Sequence, residues 1–126
     1  MAGDHKAAVR AVAEHVISAG RSELIDDLFT LAMARRARRW FEPFRASFPD
    51  VRMEVVELVE EAGTVVGRST CSGTHTGTWQ GHEPTGRRFE EVDEVYFFRF
   101  EGGRIAAMWG LEDTASRLRQ LGISAM

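Results

Sequence analysis

Apart from acidic and basic side chains, the sequence offers few residues that could catalyse a reaction. Its four histidines are scattered without a His-x-x-x-His pair, and Cys71 is the single cysteine, so no metal-binding pattern is evident. Glycines recur at Gly73, Gly77 and Gly81, but in a strand-and-loop setting and not at the start of a helix, where a phosphate-binding loop would lie. No nucleophile stands beside a base. By elimination, the sequence predicts acid/base chemistry without a cofactor or a metal.

Two residues on predicted strands are candidates for the acid and the base. His75 lies in a Thr-His-Thr segment, where its ring could polarise a carbonyl or bind a developing enolate; the alternative is a histidine that faces outward at a sheet edge. Glu94 shares a strand face with Tyr96, and a carboxylate among aromatic residues is a candidate second acid if that face is internal. If the face meets a partner subunit, Glu94 is structural.

The candidate ligand-binding residues are mostly aromatic. Trp79 and Trp109 offer flat surfaces for a polycyclic ligand, with Trp109 preferred, although tryptophan serves core packing more often than binding. Met108, next to Trp109, could touch the same ligand. Arg87 and Arg88 point in opposite directions on a strand, so at most one faces inward. Arg88 is kept as a candidate for binding a carboxylate or enolate, with salt bridges to its acidic neighbours as the alternative.

These residues are positioned by a chain whose hydrophobic period changes near its middle. Before Phe48 the apolar residues recur at helical spacing, and after Val51 they alternate, which predicts helices followed by strands. Helices are predicted over about 4–19, 22–29 and 34–48, with a kink or a fresh start at Pro43. Strands are predicted over 51–59, 65–72, 89–100 and 104–111, and a closing helix runs from Asp113 to Gly122.

This order of elements indicates the α+β class, with helices covering one face of an antiparallel sheet. Long strands that bend around helices would leave a concavity lined by alternate residues, and a ligand would bind there. With 126 residues, the chain suits one domain over 1–126.

Composition and charge narrow the partners. The chain is 44% hydrophobic and 28% charged with a formal net charge of -3, so it is a globular protein without the positive field that collects nucleic acid or anionic membrane. A neutral or mildly charged small molecule fits better. The N-terminus has no signal-peptide pattern, and one cysteine permits no internal disulfide, which together predict a cytoplasmic protein.

Several short motifs point to one family. They are Phe48-Pro49-Asp50, Gly73-Thr74-His75-Thr76-Gly77, Pro84-Thr85-Gly86-Arg87, Phe98 to Ile105, Trp109 with Asp113, and Gln120-Leu121-Gly122. From about Ala7 to Gly122 the sequence resembles the SnoaL-like polyketide cyclases of the nuclear transport factor 2-like superfamily. The resemblance implies a cone-shaped domain whose curved antiparallel sheet packs against N-terminal helices and encloses a pocket.

The resemblance also implies an activity and a partner, which is a small apolar or aromatic carbonyl ligand. Family members close rings of polyketide esters by a cofactor-free intramolecular aldol reaction, and close relatives are hydroxylases. Their acid/base is an aspartate four residues after a tryptophan, a place that Asp113 takes after Trp109. Burial in an apolar pocket would raise the pKa of such a carboxyl toward the working pH. The alternative is that Asp113 caps the closing helix.

Two departures from the family pattern keep other functions open. Residues 31–41 run from helix to helix without the usual longer segment at the pocket mouth, and Ala107 stands where the family usually has an acidic residue. A non-catalytic ligand-binding protein, or a cofactor-free hydroxylase or isomerase, therefore remains an alternative. Apolar strand residues Tyr96, Phe98 and Phe100 are expected on an outer face, covered by a second copy in a homodimer.

Overall fold

The helices pack on one side of a single antiparallel sheet. The computed structural model describes residues 2–124, with the backbone alone for residues 2–4. The helical elements are α1 (Ala2–Ala11), its π-helical continuation (Val12–Ser18), a 3-10 turn (Ser22–Leu24), α2 (Ile25–Leu28), α3 (Leu31–Ser47) and α4 (Thr114–Leu121). The strands are β1 (Arg52–Glu61), β2 (Thr64–Thr74), β3 (Arg88–Glu101) and β4 (Arg104–Glu112), paired in the order β1-β2-β3-β4. The predicted α+β fold is confirmed.

The strand predictions agree with the structure to within two residues at every end. Turn chemistry explains this accuracy. The β1–β2 hairpin turns at Ala62 and Gly63, with φ of 51° and 77°, and the β3–β4 hairpin turns at Gly102 and Gly103, with φ of 56° and 81°. Two successive positive φ values are typical of the two-residue turns that match strand twist.

The helices bury the apolar stripes that their spacing predicts. Val12 and Val16 of the first helical segment are buried, as are Ala37 and Phe41 of α3. The predicted fresh helix start at Pro43 is wrong, because α3 continues through it to Ser47. Proline removes one backbone hydrogen bond, and the packed face on both sides of it holds the helix together. None of the helices within residues 2–124 is long and apolar enough to span a membrane.

The two faces of β3 are separated as predicted, and the inner one is the face that carries Glu94, which is the alternative that places this glutamate among aromatic residues inside the protein. Glu94, Tyr96 and Phe98 face the helices and are at most 5% exposed. The expectation that Tyr96, Phe98 and Phe100 form an outer face is therefore wrong. The outer face carries Phe97 instead, and the aromatic strip that was expected to need covering is the floor of the core.

Candidate active site

Four polar side chains form a connected cluster inside the apolar core. Arg117 is fully buried and donates from Nη2 to Oε2 of Glu94 and from Nη1 to Oε1 of Glu112, both at 2.5 Å. The hydroxyl of Tyr96 lies 2.7 Å from Oε1 of Glu94 and 3.1 Å from Oε2 of Glu112. Two carboxyl groups are thus bridged on one side by a guanidinium and on the other by a phenol.

Strand register brings the carboxyl groups together. Glu94 of β3 pairs directly with Glu112 of β4, and Tyr96 pairs with Gly110. A Cβ on Gly110 would lie 2.1 Å from Cδ1 of Tyr96, so the absence of a side chain there lets the tyrosine ring lie across β4. The ring then points its hydroxyl along the strands toward both glutamates.

The closing helix supplies the cation. Asp113 caps α4 by accepting a hydrogen bond from the backbone N–H of Ser116 at 3.0 Å, which is a common use of aspartate at a helix start. One helical turn later, Arg117 points into the core, and its guanidinium lies over the rings of Phe44 and Phe89 at 5.3 and 4.7 Å. The cap therefore sets the direction from which Arg117 reaches the glutamates.

Burial decides where the protons of this cluster lie. Burial, and then the charge of Glu112, raise the pKa of Glu94. Burial and the two neighbouring carboxylates also raise the pKa of Tyr96, so its hydroxyl stays protonated. The hydroxyl of Tyr96 is placed to donate to either carboxyl, and its single proton serves one of them at a time. The raised pKa of Glu94 means that this carboxyl holds a proton more readily than a carboxyl in water does.

The cluster forms the polar end of a narrow apolar hollow between the helices and the sheet. This inner hollow is lined by Ile17, Trp40, Phe41, Phe44, Met53, Glu94, Tyr96, Met108 and Glu112. The centre of a water-sized sphere can move through about 30 Å³ of it, room for roughly two water molecules. Trp40, which is 41% exposed, is one of the lining residues, and a ligand larger than water fits the hollow only if lining side chains move.

Asp113 does not lie in this hollow. Its side chain is exposed and accepts the capping hydrogen bond of α4, so the predicted burial of Asp113 in a water-poor pocket is wrong. The physical reason is strand alternation: Glu112 ends β4 facing inward, and the next residue leaves the strand facing solvent. The carboxyl that the hollow contains is its neighbour.

The other predicted ligand-binding residues divide between inside and outside. Met108 lines the inner hollow, as do Glu94 and Tyr96. Trp109 is 61% exposed on the outer face of the sheet, with its ring 5.5 Å from that of Phe97, so its predicted contact with a ligand in the pocket is wrong.

Arg88 and Trp79 also lie apart from the inner hollow. Arg88 is on the surface, where it bonds to Asp50 at 3.0 Å and to Glu90 at 2.6 Å, which is the salt-bridge alternative to binding a ligand anion. Trp79 is buried, and its ring packs edge-on against Phe48.

His75 lies beneath a loop and does not face the hollow. Its ring is fully buried and accepts a hydrogen bond at Nδ1 from the backbone N–H of Thr85 at 3.2 Å. The rings of Phe48 and Trp79 lie 5.4 and 6.4 Å away. Burial lowers the pKa of His75, so the ring is neutral. It is neither the outward-facing edge histidine nor a group that touches the inner hollow.

Sequence reasoning missed Glu112 and Arg117. The signal for Glu112 was alternation along β4. Glu112 lies four residues after Met108 and therefore on the same face of the strand, whereas Trp109 lies on the opposite face. The signal for Arg117 was its position four residues before the buried Leu121, on the inner face of α4. Within the described part of the chain, no three His, Cys, Asp or Glu side chains are grouped so that they could hold a metal ion.

Comparisons with known proteins agree on one family. The sequence model of the SnoaL-like polyketide cyclases matches residues 2–121. A SnoaL-like cyclase candidate from Jannaschia sp. CCS1 superposes with a TM-score of 0.87 at 16% identity, over 97% of this chain and 94% of that one. AclR from Streptomyces galilaeus, a hydroxylase candidate, has a TM-score of 0.83 at 22% identity, over 95% and 82%. IdmH from Streptomyces antibioticus, a cyclase candidate, has a TM-score of 0.78 at 22% identity, over 94% and 99%. No curated protein matches the sequence.

Proposed function

Because the chain belongs to the family of SnoaL-like polyketide cyclases, we propose that it catalyses a cofactor-free ring closure of the aldol type on a small polyketide-like carbonyl compound. The observation that carries this proposal is the pair of carboxyl groups, Glu94 and Glu112, joined through Tyr96 at the end of an apolar hollow. An aldol closure needs a base for a C–H proton and an acid for the oxygen that forms, and this pair holds both functions.

Glu112 is the proposed base. Its side chain is 26% exposed, whereas that of Glu94 is 2% exposed, so Glu112 is the carboxylate that a ligand in the hollow can reach. Glu112 takes the proton from the carbon next to a carbonyl, and the resulting enolate attacks a second carbonyl carbon of the same molecule to form the new C–C bond. Its partner Arg117 holds this carboxylate in place through a charge-assisted hydrogen bond.

Tyr96 is the proposed acid. In the proposed starting state Glu94 holds a proton, in the direction in which burial shifts its pKa. The alkoxide formed at the second carbonyl takes the phenolic proton of Tyr96, which in turn receives the proton of Glu94. The proton that Glu112 removed from carbon then passes through the hydroxyl of Tyr96 to Glu94, since that hydroxyl contacts both carboxyls. The cluster ends in its starting state, and no oxidant, metal or cofactor enters the proton balance.

Exchange of the α-protons of 2-tetralone for deuterium, followed by proton NMR, tests the first step without knowledge of the natural substrate. The wild-type protein is expected to accelerate this exchange, and Glu112→Gln to reduce the acceleration by about 10²–10⁴-fold, the usual contribution of a general base. The matched control is Asp113→Asn, which changes the neighbouring exposed carboxyl and should leave the rate unchanged.

The opposite outcomes are equally clear. Full exchange activity in Glu112→Gln would remove Glu112 from the mechanism, and loss of activity in Asp113→Asn would return the role to Asp113. Binding of 2-tetralone without any acceleration by the wild-type protein would favour the non-catalytic binding function. A polyketide product that has gained oxygen would favour a hydroxylase.

The outer face of the sheet supports a homodimer as part of this proposal. Val59, Val66, Phe97 and Trp109 pair across all four strands in one apolar row. The neighbouring rows carry both signs of charge, with Glu57 and Arg68 on one side and Glu61 and Arg99 on the other. The face therefore suits a second copy better than a partner of one charge. Light scattering should show twice the mass of one chain, and Trp109→Glu should reduce that mass to the mass of one chain. A monomeric wild-type protein would contradict the dimer.

A cytoplasmic location, where Cys71 stays reduced, completes the proposal.

A further inference from the structure

A second and wider hollow adjoins the first on the outer side of Trp40. This outer hollow lies between α3 and the loop that follows β2, and its own residues include Arg39, Ser47, Thr78 and Gln80. The centre of a water-sized sphere can move through about 190 Å³ of it, compared with about 30 Å³ in the inner hollow. The two hollows share the side chains of Trp40, Phe44 and Glu112 as a common wall.

The loop that forms the outer wall is held firmly on α3. The backbone N–H groups of Thr76 and Gly77 both donate to the carbonyl of Ser47 at 3.1 Å, and the hydroxyl of Ser47 donates to the carbonyl of Thr78 at 2.6 Å. A Cβ on Gly77 would lie 2.3 Å from the carbonyl oxygen of Ala46. The outer hollow is therefore a built feature of the fold, with walls that are bonded to each other.

Arg39 gives the outer hollow a free positive charge. Its exposed side chain lines the hollow and has no hydrogen bond or ion pair with any of the residues that the structure describes. Arg38, its neighbour on the helix, is instead engaged with Asp26 at 2.9 and 3.0 Å. The one carboxylate in the wall, Glu112, is already paired with Arg117. An anionic group in the outer hollow would therefore find a guanidinium available to it.

Gln80 stands in a backbone conformation that does not suit glutamine. Trp79 and His82 exchange two backbone hydrogen bonds across a two-residue turn, in which Gln80 has a φ of 47° and Gly81 a φ of 81°. Turns of this type favour asparagine or glycine at the first position. Residues held in such conformations cluster at ligand sites, and Gln80 is one of the residues that line the outer hollow, as is Arg39.

We propose that the outer hollow is a binding subsite for the anionic end of the substrate, with Arg39 and Gln80 as the residues that recognise a carboxylate or enolate. The proposal rests on the proposed function, since it assigns the inner hollow to the reacting carbonyl group. When Trp40 moves, the two hollows join, and one molecule places its carbonyl group at Tyr96 and Glu112 while its acidic end stays at Arg39. The substrate class is therefore an elongated keto acid, or an acidic enol of similar length.

Binding of a matched pair of probes tests the charge preference. The probes are 4-phenylbutyrate and 4-phenylbutyramide, which differ in charge and little in shape, and their affinities are measured by calorimetry at low salt. The wild-type protein should bind the acid about three to tenfold more tightly than the amide, the range for one partly exposed charge-assisted contact. Arg39→Gln should abolish this preference, while Arg35→Gln, which removes a charge one helical turn away and outside the hollow, should keep it.

Equal affinity of the wild-type protein for the two probes would overturn the proposal, as would a preference for the acid that survives in Arg39→Gln. The same titration in Glu112→Gln separates this result from the catalytic proposal. That variant should still prefer the acid, because the measurement requires no turnover, so a failed exchange assay and a failed binding assay identify different errors.

Gln80→Asn supplies an independent readout. Asparagine accepts the positive φ more readily, so the melting temperature should rise by about 2 °C or more. The shorter amide should at the same time weaken binding of 4-phenylbutyrate by about threefold, the effect of one lost hydrogen bond. A purely structural glutamine would show the gain in stability with unchanged affinity, and that result would remove Gln80 from the subsite.

Discussion

Adjacent residues near the end of β4 have opposite surroundings although their chemistry is alike. Glu112 lies at the inner hollow with Arg117 and Tyr96, whereas Asp113 lies in solvent and caps α4. In the same way, Met108 lines the inner hollow and Trp109 is exposed on the outer face. The comparison shows that the side of the sheet, more than the residue type, determines which carboxyl can serve as a base, because only the inner side removes water from it.

The largest expected effect on the free energy of unfolding comes from loss of the buried guanidinium of Arg117, compared with loss of an exposed arginine on the same helix. Arg117→Met leaves Glu94 and Glu112 in the core without their partner, which should lower the free energy of unfolding by about 3–5 kcal/mol. Arg119→Met, on the exposed side of the same helix, should change it by about 0.5 kcal/mol or less. Urea denaturation measures both.

A second variant keeps this prediction testable if Arg117→Met does not fold. Adding Glu94→Gln replaces a buried carboxyl that has lost its partner with a neutral amide and should recover part of the lost stability. Equal, small effects of Arg117→Met and Arg119→Met would mean that the cluster is not desolvated, and the contrast between the two faces would disappear.

Gly110→Ala tests the difference between the inner and outer faces of β4 without changing any charge. A Cβ at Gly110 would lie 2.1 Å from the ring of Tyr96, so the ring must shift, at a cost of about 1–3 kcal/mol for overpacking. Ala107→Ser, on the exposed outer face of the same strand, serves as the control and should be nearly neutral. Thermal unfolding monitors both variants; a melting temperature unchanged in Gly110→Ala would show that Tyr96 does not need its observed position.

The pH dependence of stability should be sensitive to Glu94 on the inner face of the sheet and insensitive to the exposed Asp113. Because burial raises the pKa of Glu94 in the folded protein, its contribution to stability is complete below the unfolded pKa of about 4.3 and is lost as pH rises through the folded value. A tenfold change in the proton affinity of this carboxyl on folding corresponds to about 1.4 kcal/mol. Glu94→Gln should remove this decline from a series of urea denaturations between pH 4 and 8, whereas Asp113→Asn should preserve it. A wild-type curve of the same slope as the Glu94→Gln curve would contradict the raised pKa.

The smallest effect is expected at the helix cap. Asp113→Ala removes the acceptor for the backbone N–H of Ser116 and should lower the free energy of unfolding by about 1 kcal/mol, while Asp113→Asn keeps an acceptor and should lose less. Proton exchange of 2-tetralone should be unchanged in the alanine variant once the protein is folded. A destabilisation equal to that of Arg117→Met would mean that Asp113 is buried after all.

The fold was largely predictable because its signals are local. Alternation of apolar residues and two glycine-containing turns locate the strands to within two residues, and the stripe from Val9 to Val16 locates the first helix. No fresh helix starts at Pro43, because a single missing hydrogen bond is a local cost that the packing of a long helix outweighs.

The candidate site was predictable only in part. Glu94, Tyr96 and Met108 were identified, since alternation alone groups residues on one face of a strand. Asp113 was expected in the pocket in place of Glu112, an error of one residue that moves a side chain across the sheet. Arg117 was missed because arginine on a helix is exposed far more often than buried, although its position one turn before Leu121 places it on the inner face of α4.

By itself, the sequence determined the order of helices and strands, their turns, and which side chains alternate on common faces, since these follow from spacing and backbone preference within a few residues. Only the tertiary structure decided which face is inside, that α4 carries Arg117 onto Glu94 and Glu112, and that Trp40 divides two hollows. Those outcomes depend on contacts between residues far apart in the chain, where desolvation and pairing of charges depend on distances that local spacing does not contain.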